Sequence, residues 1–573
     1  MAYSLNKTAN VNELPKIQQP RTIYHFKGND AVKHFMTAAH GRLVPFCCYP
    51  VKPNDTWLID TAVYVKMDTS IEVPLDDIQC TLEYYYAPFR ILAPNFKKVV
   101  GDKDPDDNTV YSLPQTYLDF NIISATDHKL PSFILPHLGY GLTAAALQDS
   151  GIYISSMPLV MYAKIWNHNY RDTLLQNNIP YENIIDNTTA IHVFSSTLAA
   201  NLDGLFFCQP VNRTHDFFAD GFKSPNLEGD ISINLGNPIK IDTQSQGHSI
   251  GTSSGAPLRF AHGGTGFTNN NNVKIKSTGE LNTTSAATGN DVWGTNLIAP
   301  TDSLTINQLL MAFALYNYQF RTQSFGTHYD DWLYAHFSLQ VSMSLIDEPE
   351  CLASAVTTLN MMPVLNQGSD SSLGNASGMS ASLFKGASVN KSFVEHGYII
   401  GLMCFRVAKH TYSQGYNPHV WDLKDQLDLP LSEFLNIGRV TNPMSAIFNN
   451  TPSVLNRGSF NFINAYDEFR KFVNRSSGLF APYMSTYSSA YVNFFKHYTY
   501  QDVYASAPTF SGDWLLEDPN NVKRTLSGRL IPNAADTTNP YSQQYLIEVV
   551  QNITVSQVMP GEPVPAHLVN RLR

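Results

Sequence analysis

Apolar and polar residues alternate with a period of two in several well-separated stretches. From Trp57 to Met67, the residues Trp57, Ile59, Val63, Val65 and Met67 fall on one side and Asp60, Tyr64 and Lys66 on the other. This is the pattern of a half-buried strand. Leu546 to Val555 repeats it, with Ile547, Val549, Ile553 and Val555 inward. Cys80 to Tyr86 predicts a further strand, ended by Ala87-Pro88, and Tyr398 to Val407, apolar on both sides, predicts a central one. Strands this far apart fit a barrel or sandwich whose loops carry large insertions. Residues 1–40, mostly polar with scattered histidines and aromatics, read as an extended arm.

Two stretches switch to helical spacing. The first follows Ser156-Met157-Pro158, where proline suits a first turn, and places Tyr162, Ile165, Trp166 and Tyr170 on one face. The second starts at Thr305, which forms a capping box with Gln308, and aligns Ile306, Leu309, Leu310, Phe313 and Phe320. Both stripes are expected to pack on the core, because a half-buried helix needs such a face. Two other stretches are soft. Residues 240–298 are rich in Gly, Ser, Thr and Asn, and Asn366 to Ser392 is similar. A stretch like 240–298 buries too little apolar surface to form a core. It is expected to leave the ordered body as an exposed protrusion and return, and such loops usually carry recognition. No internal repeat is visible.

Composition narrows the class. A length of 573 residues suggests roughly four domains on a length prior alone. All-β folds with insertions run larger, so the reading is a single domain over 1–573 with 240–298 inserted in it. Hydrophobic residues reach 43% and charged ones only 15%, well under the usual quarter or so. With 30 Tyr and 32 Phe, this suits a subunit that buries much of its surface against its own copies, since interface cores are poor in charge and rich in aromatics. A carbohydrate-binding or carbohydrate-active β-sandwich has a similar composition. The formal charge of -10 argues against a surface made throughout for nucleic acid, but leaves room for a basic patch. Basic residues cluster at Lys97-Lys98, Arg470-Lys471 and Lys523-Arg524, and at Arg571 and Arg573. Arg470 and Lys471 are the candidate nucleic-acid contacts. The cysteines, none in C-x-x-C spacing, read as reduced and mostly buried. The first residues lack an apolar signal core, and no apolar run approaches the ~18 residues of a membrane span.

Motifs of catalysis fail their contexts. Gly251-Thr252-Ser253-Ser254-Gly255 has the G-x-S-x-G spacing but lies in the soft stretch, not between a strand and a helix. Gly264-Thr265-Gly266 lacks the third glycine of a dinucleotide loop. Asp102 to Asn108 begins like a calcium loop, but Asp107 replaces the glycine and Leu113 the bidentate glutamate. Glu395 and His396, if on a regular strand, point to opposite faces. No catalytic residue, cofactor or metal is therefore expected.

The segment Met157 to Asp172 resembles a signature of the major capsid protein of microviruses, small tailless bacteriophages with single-stranded DNA. In that family a Leu-Pro pair precedes a helix reading Tyr-x-x-Ile-Trp-Asn-x-x-Phe/Tyr-Arg-Asp. Here Pro158, Tyr162, Ile165, Trp166, Asn167, Tyr170, Arg171 and Asp172 fall in place. Pro158, Tyr162, Trp166, Arg171 and Asp172 are the expected structural anchors. Further matches keep the family's order: Gly41 to Phe46, Ala87 to Leu92, Asp216-Phe217-Phe218, Thr305 to Leu309, Gly326-Thr327-His328-Tyr329, Pro349 to Leu352, Glu395 to Gly401 and Tyr466 to Arg470. Departures include Val160-Met161 for a polar or basic pair and His168 for an acidic residue.

The resemblance implies a mainly β fold, the viral jelly roll of two antiparallel sheets, with long inter-strand insertions containing helices. It implies self-assembly into a small icosahedral shell around circular single-stranded DNA. The virion would be assembled in the host bacterial cytoplasm, without membrane insertion. Implied partners are copies of the chain, the genome, a small basic DNA-binding protein, an internal scaffolding protein, a minor pilot protein and a host cell-surface receptor. In the gokushovirus-like branch, a variable insertion at the place of 240–298 builds threefold protrusions. The alternative is the carbohydrate-binding or carbohydrate-active β-sandwich, which the absent signal and absent paired catalytic motif oppose.

Overall fold

The computed structural model describes residues 23–118, 132–140, 152–182, 192–193, 205–227, 273–275, 281–283, 306–365, 376–413, 417–420, 437–441, 459–480, 485–492, 510–539 and 542–560. The strands that organise it are β1 (Ile23–Ala38), β2 (Val44–Val51), β3 (Thr56–Met67), β4 (Ile78–Pro88), β5 (Glu350–Thr358), β6 (Met361–Leu365), β7 (Ala376–Ser392), β8 (Gly397–Val407) and β9 (Tyr545–Pro560). They form a five-stranded sheet in the order β1-β9-β3-β7-β6 and a four-stranded sheet in the order β5-β4-β8-β2. Every pairing among them is antiparallel. The chain crosses between sheets from β1 to β2, β2 to β3 and β3 to β4, and the last strand returns beside the first. This is the jelly roll, two Greek keys closed face to face. The two largest insertions run from Pro88 to Glu350 and from Val407 to Tyr545.

Alternation explains the layers. On β3, Ile59, Val63, Val65 and Met67 are almost fully buried, whereas Tyr64 is exposed. On β9, Ile547, Val549 and Ile553 face the same core. Opposite them stand Phe46, Leu82, Tyr84 and Phe405 of the four-stranded sheet. β8 is apolar on both sides because both of its faces are covered. Ile399, Met403 and Phe405 enter the inter-sheet core, while Ile400, Leu402 and Cys404 pack under an inserted helix. At Gly401 a Cβ would stand 2.5 Å from the Phe46 ring, so close packing between the strands requires glycine there. The core also holds a closed polar chain. The Tyr49 hydroxyl donates to Gln551 Oε1 at 2.6 Å, the Gln551 amide donates to the Tyr84 hydroxyl at 2.6 Å, and that oxygen meets Thr61 Oγ1 at 2.6 Å. Buried polar groups satisfied in this way do not weaken the core.

Two expectations need correction. The arm expected over 1–40 contains β1, a full edge strand paired with β9 from Ile23 to Ala38. An edge strand buries one face only, so Met36 and Ala38 inward suffice, and the other positions mix apolar and polar residues without strict alternation. The soft stretch from Asn366 to Ser392 contains β7, paired with β3 and kinked by a bulge between Lys385 and Ser388. Its buried side chains are small: Ser380, Ser382, Ala387 and Val389. The neighbouring strands supply the apolar bulk, so the strand has little hydrophobic signal of its own.

The chain divides into two compact units, residues 1–225 with 325–573, and residues 226–324. The first contains the jelly roll. The second encloses the 240–298 stretch, of which two short paired strands, Val273–Ile275 and Leu281–Thr283, are described. It also holds most of the helix α2 (Ile306–Phe325), which follows α1 (Met157–Ile165) and precedes α3 (Tyr329–Phe337).

Candidate assembly and recognition surfaces

The segment that carries the sequence signature is a packing hub. Pro158 occupies the first turn of α1, where its missing N–H costs nothing. From Met157 to Ala163 every side chain is buried, because α1 lies on the outer face of the four-stranded sheet among Leu43, Tyr85, Ile400 and Leu402. The Tyr162 hydroxyl donates to the Leu43 carbonyl and accepts from the Gln209 N–H, each at 2.8 Å. Burial raises that phenol well above its ordinary range. The helix then widens into a π turn over Trp166–Tyr170. Trp166 is 5% exposed and its indole N–H donates to the Pro210 carbonyl at 2.8 Å. The Tyr170 hydroxyl reaches Glu83 on β4 at 2.5 Å.

The remaining signature residues build the exit from the helix. Asn167 exchanges two bonds with the backbone of Ile179, at 3.0 and 2.7 Å. Arg171 donates to the carbonyls of Asn167 and Gln176 at 3.3 and 3.1 Å. Asp172 accepts from the N–H groups of Leu174 and Leu175 at 2.8 and 2.9 Å. All these bonds hold the chain to itself. They serve architecture, and none presents a reactive group to solvent.

The other candidates fall into ordinary roles. In the acidic loop, Asp107 accepts from the Thr109 N–H at 3.0 Å and the Tyr111 hydroxyl at 2.9 Å, and no cluster able to hold a metal ion occurs among the described residues. Glu395 and His396 precede β8 and do not lie on it. Glu395 pairs with Arg90 at 3.0 Å, and His396 lies beside Phe89. Lys523 is 1% exposed and its ammonium donates to the Asn539 carbonyl, so it is no surface cation. Arg470 meets Asp467 at 3.4 Å; Lys471 meets Asp220 at 2.6 Å and Asp467 at 3.3 Å. Burial alone would lower the Lys471 ammonium, but these carboxylates raise it. Both cations are thus partly neutralised within the chain. The cysteines are unpaired among the described residues, and burial pushes the thiols of Cys47 and Cys208 up to about 12. Gly251 to Gly255, Gly264 to Gly266, Arg571 and Arg573 lie outside the described residues.

Three features had no sequence signal. The first is a buried clamp. Glu517 Oε1 lies 3.0 Å from His40 Nε2 and 3.3 Å from His410 Nε2, and all three side chains are essentially inaccessible. Burial alone would raise the Glu517 carboxyl; the charge of His410 and the bond from His40 hold it far below the usual carboxylate range. Histidines 370 positions apart in sequence give no local pattern, so only the fold joins them. The second is a cluster at the start of α3. His168 lies 3.5 Å from Asp330, and its ring centre is 4.5 Å from that of His328. The third is exposure. The stripe of α2 was expected on the core, yet Ile306 is 76%, Leu310 59% and Phe313 57% exposed in the single chain. Tyr329, Phe337 and Leu345 in and after α3 are exposed as well. An isolated soluble subunit rarely leaves so much large apolar surface in water unless something covers it.

The family described as the capsid protein (F protein) of phages matches residues 18–566. Capsid protein VP1 of Spiroplasma virus 4 is 25% identical over 572 residues, covering 93% of this chain and 95% of that one. VP1 of Chlamydia phage 1 is 23% identical and covers 76% and 81%; VP1 of Bdellovibrio phage phiMH2K is 25% identical and covers 69% and 71%. A structural role in the virion, without catalysis, replaces the carbohydrate-active alternative. The match runs through both sheets of the jelly roll and the hub around Trp166, and the chain belongs to the phage F-type capsid protein family, alongside the VP1 proteins of microviruses.

Proposed function

We propose that copies of this chain assemble into a small icosahedral shell that encloses a circular single-stranded DNA genome, as a single inserted jelly-roll domain over 1–573. The observation that carries the reading is the near full-length family match, 18–566, on a jelly roll whose insertions leave large apolar residues exposed. Residues 240–298 are proposed as an inserted surface protrusion that attaches to a receptor on the host cell. Assembly is placed in the host bacterial cytoplasm, with help from an internal scaffolding protein and a minor pilot protein. With a formal charge of -10 per subunit and a polyanionic genome, packing needs added positive charge. A small basic DNA-binding protein would supply most of it, and Arg470 and Lys471, already paired in the chain, could add little.

Electron microscopy of the purified protein tests the shell: uniform closed particles are expected, and their absence at every concentration overturns the reading. Replacing 240–298 by a short Gly-Ser linker tests the protrusion. Loop closure changes by only ~0.6 kcal/mol per doubling of length, so folding should survive. Shells that form but no longer bind host cells are expected. Normal infection by the shortened particles rules out the attachment role.

A further inference from the structure

In the four-stranded sheet the central strand β8 is covered on both faces, but the five-stranded sheet presents an accessible outer face. Across it runs one row of register partners, Phe35 on β1, Glu548 on β9, Tyr64 on β3 and Leu383 on β7. Phe35 is 71% exposed, Leu383 75% and Tyr64 38%. Adjacent strands are ~4.8 Å apart, which sets the two rings about 10 Å apart on one surface. Two residues along each strand, on the same face and so about 7 Å away, stand cations: Lys33 beside Phe35, Lys66 beside Tyr64, Lys385 beside Leu383. Glu548 is tied to Lys33 at 3.0 Å, and Asp60 lies 3.7 Å from Lys385. Lys66 has no carboxylate partner among the described residues. Three lysines against two carboxylates leave a net excess of one cation among these groups, in a chain of formal charge -10. A cleft of about 610 Å³ opens on it, lined by Phe35, Tyr64, Lys66 and Glu548 and walled by Pro136 and His137.

We propose that this face binds single-stranded DNA, with Phe35 and Tyr64 as stacking platforms for bases and Lys66 as the principal phosphate contact, Lys33 and Lys385 being already paired with Glu548 and Asp60. The inference rests on the reading of the chain as a shell around such a genome, and names the surface that touches it. Three arguments favour DNA over a second copy. Interface cores between proteins are depleted in lysine, whereas lysines here stand among the aromatics. Alternating rings and cations match the spaced bases and phosphates of a nucleic-acid strand. Exposed rings also select unpaired bases, because a duplex hides its base faces. The cleft falls within the roughly 300–1,000 Å³ of pockets that hold small ligands, large enough for a flipped-out base.

The test uses the full-length protein and fluorescein-labelled (dT)20, followed by anisotropy at several salt concentrations, with ultraviolet crosslinking to map contacts. Wild type is expected to bind in a salt-dependent way and to crosslink through peptides of β1 or β3. The double substitution Phe35→Ala, Tyr64→Ala should weaken binding about tenfold or more. Lys66→Glu, which touches no core residue chemistry, should weaken binding and reduce the salt slope by about one; it keeps the test decisive if the double variant misfolds. If wild type binds but both variants bind equally well and crosslinks map elsewhere, the face is wrong while the DNA reading stands. If wild type, as subunits and as shells, binds no oligonucleotide, the DNA reading fails and this proposal with it. If the variants bind DNA normally but no longer form shells, the face is a contact between copies and the proposal is overturned.

Discussion

α1 and α2 have the same signature in sequence and opposite environments in the fold. Each carries an apolar stripe at helical spacing. In α1 the stripe is sealed against the four-stranded sheet, with Tyr162 and Ile165 fully buried. In α2 the stripe faces water, with Ile306, Leu310 and Phe313 all more than half exposed. Periodicity reports that a helix has an apolar face to cover; it does not report what covers it. In α1 the cover is the chain's own sheet, whereas for α2 we propose that other copies of the chain supply it. On that proposal, the failed expectation separates residues that fold the subunit from residues that would join it to others.

The largest effect is expected on the α1 side. Trp166→Ala removes a buried ring and orphans the Pro210 carbonyl. Such truncations cost ~3–5 kcal/mol, a large part of the ~5–15 available to a domain. Insoluble or unassembled subunits are expected, scored by soluble yield and thermal unfolding. Particles at wild-type yield would remove the hub from the account of folding.

The Glu517 clamp should come next. Glu517→Gln leaves His40 and His410 facing a neutral amide in a site without water access. Removing one partner of a buried ion pair typically costs ~3–5 kcal/mol; because glutamine keeps some hydrogen bonding, the lower end is expected. The sign with pH follows from the direction of the shift. The folded carboxyl is held below its unfolded value of about 4.3, so its stabilisation is present above that pH and is lost as pH falls through the folded value. Denaturant titrations should therefore show the gap between wild type and variant shrinking below about pH 4. A gap independent of pH would mean that Glu517 acts through packing alone.

On the α2 side the expectation reverses. Phe313→Asp or Leu310→Asp changes an exposed position, and surface substitutions usually stay within about 0.5 kcal/mol for folding. The isolated subunit should unfold as wild type does. Assembly should suffer, because truncated interface anchors commonly cost 2 kcal/mol or more, enough to raise the concentration needed for shells by tenfold or more. Light scattering during assembly measures this. Shells forming at the wild-type concentration would mean that α2 is covered by something other than a neighbouring copy.

Legibility in the sequence followed the same divide. β3, β4, β8 and β9 were readable because each carries its own apolar periodicity, and α1 because its own residues carry an apolar stripe at helical spacing, although the surfaces it packs on are far away in sequence. β1 and β7 were not, since an edge strand and a strand of small residues borrow their apolar partners from neighbours. The Phe35–Tyr64 row is invisible for a related reason. Its members lie on strands far apart in sequence, and only the register between β1, β9 and β3 sets them side by side. Arg470 and Lys471 were legible as charges, but their pairing with Asp220 and Asp467 depended on the fold.

The smallest effect, and the finest test of the divide, lies at α3, between the hub and the exposed apolar residues that follow. Asp331 is raised to about 6 by burial and by the adjacent Asp330. His328 is lowered by burial and by His168. The two groups pull in opposite directions. A carboxyl with a raised folded pKa contributes stability that is complete below its unfolded value of about 3.9 and lost as pH rises through about 6. A histidine with a lowered folded pKa contributes stability that is present above about 6.5 and lost as pH falls. In wild type, on acidification from pH 7 to 5, the gain at Asp331 opposes the loss at His328 at the α3 amides. In Asp331→Asn the opposing gain at that carboxyl is removed, so the amides of Tyr329 to Phe337 should lose more protection than in wild type over the same interval. Hydrogen-exchange protection factors, corrected for the intrinsic pH dependence of exchange, measure the difference directly. The same response in wild type and variant would show that this junction is set by packing, like α1, and not by charge.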